Sequence, residues 1–198
     1  IIDTYIRKDI RDIGNIRSLD KFNKLVETIS SQSGSLINVK ELSNTCDLSA
    51  QTINEYLFLL EETYIITHVR PWSSNIRSEL FKTPKIYMND TGLMQLLWLK
   101  SLQKEVLGSV FETSVFTELT KKYGRKNIRY WRTKDKQEID FILREGNEAT
   151  SIEVKLNFAR FKEKPFEIFE KRYHVKKKFF IALGGQRTRS IDTYPWEI

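Results

Sequence analysis

Two acidic residues lie inside apolar segments of the stretch EIDFILREGNEATSIEVK, residues 138–155. Asp140 interrupts the first segment, and Glu153 precedes Lys155 by two positions in the second. Aspartate is depleted in strands, and a buried carboxylate costs free energy unless it is paired or bound to a metal. Carboxylates beside a lysine form an oxygen-rich site that suits Mg²⁺ or Mn²⁺. Such an ion acidifies a bound water and neutralises charge on a phosphodiester, while the lysine stabilises developing negative charge.

A third acidic residue, Glu112, lies in the clearest helical pattern of the chain, at about residues 105–123, which Gly124 ends. At 100° per residue, Glu112 projects into the middle of an apolar face. That face consists of Val110, Phe111, Val115, Phe116 and Leu119. A lone glutamate on a packed face needs a partner. The partner is either the metal site or, alternatively, a neighbouring lysine in a salt bridge.

The elements that must position these residues are three strands, joined by polar turns into two hairpins: IRYWR, EIDFIL and SIEVKL. Because side chains alternate along a strand, Glu153 and Lys155 share one face, and Asp140 projects away from its apolar neighbours. Adjacent strands then place all three on one side of the sheet, with the helix that carries Glu112 packed nearby. We therefore predict Asp140, Glu153, Lys155 and Glu112 as catalytic residues. The three carboxylates are the predicted ligands of one Mg²⁺ or Mn²⁺.

The residue types and their order match the nuclease pattern written PD-(D/E)XK, which has a strand aspartate followed by E-x-K on the next strand. E-x-K alone is a weak signal, whereas its combination with Asp140 and a helical acid is more specific. The proline of the pattern is absent, since Ile139 precedes Asp140. The pattern indicates a metal-dependent DNA endonuclease as one candidate activity.

The positive charge of the chain is concentrated in its second half. The 198 residues carry a formal net charge of +7. Residues 1–100 contain 12 Lys/Arg and 12 Asp/Glu, whereas residues 101–198 contain 21 and 14. This excess indicates a polyanion partner such as DNA, although a solvated lysine-rich surface would have the same composition. The candidate nucleic-acid contacts are Arg129, Trp131, Arg132, Lys134 and Lys136. Strand aromatics are also common core residues.

The first hundred residues contain the elements of a winged helix-turn-helix. Helical spacing at residues 19–32 ends at SGS, after which Asn38 caps a short helix and Ser49 caps a second. Two strands follow, YIITHVRP and KIYM, and Asp90 then caps another short helix.

The helix in the recognition position, residues 49–63, contains Glu55, Glu61 and Glu62 but no lysine or arginine. Phosphate contacts dominate DNA affinity, so an acidic helix would be repelled from the groove. The pattern favours a packing or partner-binding module over a DNA reader.

Composition excludes several classes of protein. The single cysteine, Cys46, excludes a disulfide framework and any cysteine-based zinc cluster. No apolar run approaches the ~20 residues that span a bilayer, and no signal peptide is evident. We expect a cytoplasmic protein with no membrane partner. Because the chain starts at Ile1 without an initiator methionine, we also expect a piece of a longer protein.

Six segments occur in a distinctive order: TYIRKDI, LINVKELSNTCDLSAQTINEYLFLLEETYII, PKIYMNDTGL, GSVFETSVFTEL, YWRTKDKQEIDFIL and IEVK. Together they resemble the C-terminal domain of unknown function that follows the P-loop module in a large family of bacterial and archaeal AAA-type ATPases. The similarity covers almost the whole chain.

The resemblance implies an α/β (α+β) fold in two parts. Residues 1–100 would form a helical, winged-helix-like segment, and residues 101–198 a restriction-endonuclease-like PD-(D/E)XK domain, a mixed sheet flanked by helices. It also implies an upstream P-loop ATPase module as a partner. No G-x-x-x-x-G-K-[ST] motif occurs here, so we expect this chain neither to bind nor to hydrolyse ATP.

Three functions stay open at this point. The chain is a metal-dependent nuclease part of an ATP-driven machine, or a nuclease fold that binds nucleic acid or a protein without cutting, or a regulatory interaction module of the ATPase. The intact trio of Asp140, Glu153 and Lys155 favours the first, and the acidic recognition helix favours the third for the N-terminal half.

Overall fold

The computed structural model describes residues 16–73, 83–146 and 148–198. These residues group into two compact units. The first unit comprises residues 16–68 and 86–105, and the second comprises residues 69–73, 83–85 and 106–198. Across the described ranges, no helix is both long enough and apolar enough to cross a membrane.

Among its described residues, the N-terminal part contains four α-helices and a small sheet. The helices are α1 (Leu19–Ser31), α2 (Val39–Cys46), α3 (Ala50–Glu62) and α4 (Thr91–Leu99). The strands are β1 (Ser35–Leu36), β2 (Ile66–Val69) and β3 (Lys85–Met88), and they lie in the order β1-β3-β2. Phe22 of α1 meets Tyr56 of α3 edge to face, with ring centroids 5.0 Å apart.

Local side-chain caps begin three of these helices, as the sequence predicted. The Asn38 side chain accepts a hydrogen bond from the Glu41 backbone N–H at 3.1 Å. Ser49 caps α3 in the same way, and Asp90 caps α4. Each cap satisfies a backbone donor that has no partner within the helix.

The described residues of the second unit form a five-stranded mixed sheet and two α-helices. The helices are α5 (Gly108–Tyr123) and α6 (Lys164–Glu170). The strands are β4 (Ile128–Arg132), β5 (Glu138–Glu145), β6 (Glu148–Asn157), β7 (Val175–Gly184) and β8 (Asp192–Thr193). The strand order is β4-β5-β6-β7-β8, antiparallel as far as β6 and parallel from β6 to β8. Together with the helical N-terminal part, this sheet confirms the predicted mixed α and β class.

The turns of the second unit and the ends of α5 follow from local sequence. The two predicted hairpins are present, and Gly146 occupies the second turn with φ +63°. Helix α5 begins at Gly108, three residues later than the spacing predicted, because Leu107 is still extended. It ends at Gly124, whose N–H donates to the Thr120 carbonyl.

Strand β5 is buried on both faces. Phe141 stacks on Phe116 of α5, with ring centroids 6.1 Å apart. Its neighbour Ile142 packs instead in a cluster with Trp131 and with Phe169 of α6. Because consecutive strand residues point to opposite faces, α5 and α6 cover β5 from opposite sides. Asp140 of this strand is therefore a buried charged residue between two fully buried apolar neighbours, Ile139 and Phe141.

Candidate active site

Lys155 joins the two predicted strand carboxylates. Its Nζ lies 3.1 Å from Asp140 Oδ2 and 2.6 Å from Glu153 Oε1. The antiparallel register pairs Phe141 with Ile152, which places Asp140 opposite Glu153 on the adjacent strand. Alternation along β6 then brings Lys155 to the same side as Glu153. The structure thus brings together Asp140, Glu153 and Lys155, as the hairpin pattern predicted.

The Asp140 carboxylate is anchored in the sheet itself. Its Oδ2 accepts a hydrogen bond from the Val154 backbone N–H at 2.9 Å, and only 7% of its side chain is exposed. The Asp140 backbone N–H in turn donates to Glu153 Oε2 at 3.4 Å. These contacts hold two carboxylates at one place on neighbouring strands.

A second lysine, Lys85, connects Asp140 with the helix. Its side chain is 4% exposed, and its Nζ lies 2.5 Å from Glu138 Oε1. The same Nζ is 3.6 Å from Glu112 Oε1 and 3.9 Å from Asp140 Oδ1. Glu112 therefore forms its ion pair with a lysine, which is the alternative that its position on the apolar helix face left open.

These residues and Arg132 form one ion-pair cluster, since Arg132 Nη1 lies 3.0 Å from Glu138 Oε2. The ion-pair cluster consists of Lys85, Glu112, Arg132, Glu138, Asp140, Glu153 and Lys155. It contains four carboxylates and three cations. The cluster therefore has a surplus of negative charge in a mostly buried place, which favours binding either a proton or a metal cation.

Within the cluster, Glu153 is the carboxylate that binds a proton most readily. Burial, followed by the nearby Asp140 carboxylate, raises the pKa of Glu153 to about 8, against a smaller opposing effect of Lys155. Burial opposes the charged form of Lys155, but Asp140 and Glu153 outweigh it and raise the pKa of this lysine. For Lys85, the carboxylates of Glu112, Asp140 and Glu138 likewise outweigh burial and raise the pKa. Both lysines stay protonated at neutral pH.

The donor set fits one divalent ion better at the strands than at the helix. Mg²⁺ is commonly held by one or two carboxylates with several waters, which Asp140 and Glu153 can supply. Glu112, the third predicted ligand, pairs with Lys85. Over residues 16–73, 83–146 and 148–198, no group of three or more His, Cys, Asp or Glu side chains is placed to hold a metal. The site therefore fits a two-carboxylate arrangement.

Two members of the cluster, Lys85 and Glu138, were not among the predicted site residues. Lys85 is the only charged residue of the strand KIYM, and it is buried there. Glu138 stands two residues before Asp140 at the start of β5. The signal for Lys85 is a charged residue at the start of an otherwise apolar strand, which is related to the charged residue inside an apolar strand that marked Asp140.

Two of the predicted nucleic-acid contacts have structural roles. Trp131 is 3% exposed, and its ring centroid lies 5.3 Å from that of Phe169. Its ring is therefore in the core and is not placed to stack on a nucleic acid. Arg129 donates hydrogen bonds to the carbonyls of Lys126 and Ile128, at 2.8 and 2.9 Å.

The other three contacts lie near the β4–β5 turn. Arg132 pairs with Glu138, as described above, and also lines a cleft together with Lys134. Lys136 is exposed in the turn itself, with φ +61°. Of the predicted contacts, Trp131 is thus buried, Arg129 and Arg132 are partly buried, and only Lys134 and Lys136 are exposed.

Residues 1–105 match the family model described as a domain of unknown function, DUF8612, over more than half of the chain. The chain belongs to the DUF8612 family. Residues 107–197 of this DUF8612 chain match a second model, the domain of unknown function DUF4143. Every residue of the ion-pair cluster except Lys85 lies in the DUF4143 match.

Curated relatives of this DUF8612 protein are bacterial. An uncharacterised protein of Mycobacterium tuberculosis and one of Mycobacterium bovis are each 25% identical over 159 residues, covering 78% of this chain and 36% of the relative. An uncharacterised protein of Haemophilus influenzae is 24% identical over 161 residues, covering 78% and 38%. The chain thus spans little more than a third of each relative's length. No solved structure matches the chain.

Proposed function

We propose that the second unit is a Mg²⁺- or Mn²⁺-dependent nuclease module with a restriction-endonuclease-like fold. The observation that carries this proposal is the position of Lys155, whose ammonium contacts Asp140 and Glu153 on adjacent strands. The order Asp, then Glu-x-Lys, together with this convergence, is what the PD-(D/E)XK pattern requires. The mixed sheet with a helix on each face of β5 supports the same proposal.

Each residue of the trio has a distinct role in the proposal. Asp140 and Glu153 would hold the ion, which when bound would acidify a water and neutralise charge on the phosphodiester. Lys155 is 35% exposed on its side chain, so it can reach a substrate oxygen while remaining protonated. Its ammonium would stabilise negative charge that develops on the phosphate. Glu112 would act as a positioning residue through Lys85.

A second candidate is a nuclease fold that binds nucleic acid or a protein without cutting. The observation that favours it is Lys85, which already contacts Asp140, Glu138 and Glu112. Two lysines and an arginine neutralise most of the carboxylates, so the cluster can stabilise the fold without a metal. The two candidates differ in whether Asp140 and Glu153 bind a divalent ion and support cleavage.

For the N-terminal half we propose a winged-helix-like module that packs or binds a partner. The order of helices α1 to α3 and strands β1 to β3 supports it, as does the acidic α3. The resemblance alone supports an upstream P-loop ATPase module in the whole protein, which would act in the cytoplasm. In that whole protein, ATP hydrolysis would drive the nuclease or regulate it.

The test is cleavage of labelled single- and double-stranded DNA by this chain and by the full-length protein, with Mg²⁺, Mn²⁺ or EDTA. We expect metal-dependent cleavage that Asp140→Asn reduces by about a hundredfold or more, a typical effect of removing a group that stabilises the transition state. Lys121→Met, which removes an exposed lysine of α5, should leave the rate unchanged. Absence of metal-dependent cleavage by both folded proteins would contradict the nuclease and leave the non-cleaving candidate.

A further inference from the structure

A basic cleft lies beside the ion-pair cluster. It has a volume of about 560 Å³, and two segments distant in sequence form its walls, the β4–β5 turn and α6 with the residues after it. Its charged and polar lining includes Arg132, Lys134, Asp135, Gln137, Lys164 and Arg172. The turn residues were partly predicted from sequence, whereas Lys164 and Arg172 enter only through the fold.

The charge of the basic cleft is strongly one-sided. Four cationic side chains face one carboxylate, Asp135. Lys134, Lys164 and Arg172 are exposed, and their side chains make no ion pair with any carboxylate in the part of the chain that the structure describes. Because these cations outnumber the acids beside them, they repel one another, and an anion that binds between them would relieve that repulsion.

The lining also restricts the kind of anion. Ile168 is the one apolar residue of the described lining, and none of the described lining is aromatic. A site that binds a nucleotide through its base needs an aromatic or apolar surface for stacking. Cations with no such surface instead bind phosphates along a backbone, which carries no sequence information.

The position of the cleft connects it to the carboxylates. Arg132 belongs to both places, since it lines the cleft and lies 3.0 Å from Glu138. Glu138 in turn contacts Lys85, which contacts Asp140. A strand held in the cleft would therefore run next to the ion-pair cluster.

We propose that the basic cleft binds the phosphate backbone of nucleic acid, without sequence preference, through Lys134, Lys164 and Arg172. The inference rests on the proposed function in that it names the substrate class of the same unit. It concerns binding alone and needs neither a metal nor cleavage.

The test is fluorescence anisotropy of labelled DNA, single- and double-stranded and of two unrelated sequences, with the 198-residue chain in EDTA. Lys164→Ala/Arg172→Ala should weaken binding at least about tenfold at low salt. It should also reduce the slope of log K against log salt by about two for duplex, since each phosphate contact contributes about 0.9. Lys126→Ala/Lys177→Ala removes the same charge at exposed positions outside the cleft and should change the affinity less than about twofold.

A second variant, Lys134→Glu, reverses one charge on the other wall and should weaken binding in the same way while circular dichroism confirms the fold. Equal weakening by the cleft and control pairs would overturn the cleft as the site, as would no binding by the wild type. A strong preference for one sequence would overturn backbone recognition. If the wild type shows no metal-dependent cleavage but the cleft variants still weaken DNA binding as expected, only the nuclease proposal would be overturned.

Discussion

Replacing Lys85 with methionine tests how the ion-pair cluster is held together. The substitution keeps the length of the side chain and removes its ammonium, which contacts Glu138, Glu112 and Asp140 within 3.9 Å. The side chain is 4% exposed, so water cannot replace the lost cation. Breaking a buried ion pair by removing one partner destabilises a protein by about 3–5 kcal/mol. Glu138 keeps Arg132 and Asp140 keeps Lys155, which places the expected loss near about 3 kcal/mol.

The loss should depend on pH in a defined direction. Without Lys85, the carboxylates that it contacts repel one another with one cation fewer between them, and a proton bound by one of them would relieve that repulsion. Protons then bind the folded state more tightly, so the variant recovers stability as the pH falls towards 4 and loses it as the pH rises towards 7. The difference between wild type and variant is therefore largest at neutral pH.

Hydrogen–deuterium exchange of amides in β5 and β6 measures the loss of stability in Lys85→Met locally, because protected amides report the free energy of opening. The matched control is Lys121→Met, whose ion pair with Glu118 joins side chains that are 70% and 58% exposed. Such a pair contributes under about 0.5 kcal/mol. If Lys85→Met changed amide protection no more than Lys121→Met does, the ion-pair cluster would not be a buried network that stabilises the sheet.

Two further substitutions have effects that follow from the geometry. Because the pKa of Glu153 is raised to about 8, the folded protein binds a proton that the unfolded chain lacks between about pH 4.5 and 8, and stability falls as the pH rises through that window. Glu153→Gln should remove this slope of unfolding free energy against pH, which is at most about 1.4 kcal/mol per pH unit. Urea unfolding of both proteins from pH 5 to 8 measures the slope, and the same slope in both proteins would contradict the expectation. Gly185→Ala should destabilise by about 1–3 kcal/mol, since φ is +95° and an added Cβ would lie 2.6 Å from Asn157 Oδ1. Gly184→Ala is the control, with nothing within 4 Å of the added Cβ; similar thermal midpoints for both variants would contradict the clash.

Local patterns in the sequence predicted the parts of the fold that local contacts determine. The caps at Asn38, Ser49 and Asp90 each depend on a backbone donor three residues further along the chain. The convergence of Asp140 with Glu153 follows from one hairpin and from side-chain alternation, so it was also predictable.

Long-range contacts were not predictable in this way. Lys85 precedes Glu112 by 27 positions in the sequence. Hydrophobic periodicity does not show which distant lysine contacts a buried acid, so this pair was not predicted. Trp131 lies on β4, next to β5, and β5 is buried on both faces. Because either face of the sheet can therefore be covered, side-chain alternation alone did not show that the Trp131 ring lies in the core. Lys164 and Arg172 reach the β4–β5 turn only through the packing of α6 on the sheet.

A Mn²⁺ titration of this chain by calorimetry would show whether Asp140 and Glu153 form a divalent-metal site. We predict one Mn²⁺ per chain, with Asp140→Asn weakening its binding about tenfold or more while far-UV circular dichroism shows an unchanged fold. Lys121→Met should bind as the wild type does. No binding by the folded wild type, or equal binding by Asp140→Asn, would contradict the claim and identify the cluster as an ion-pair network without a metal.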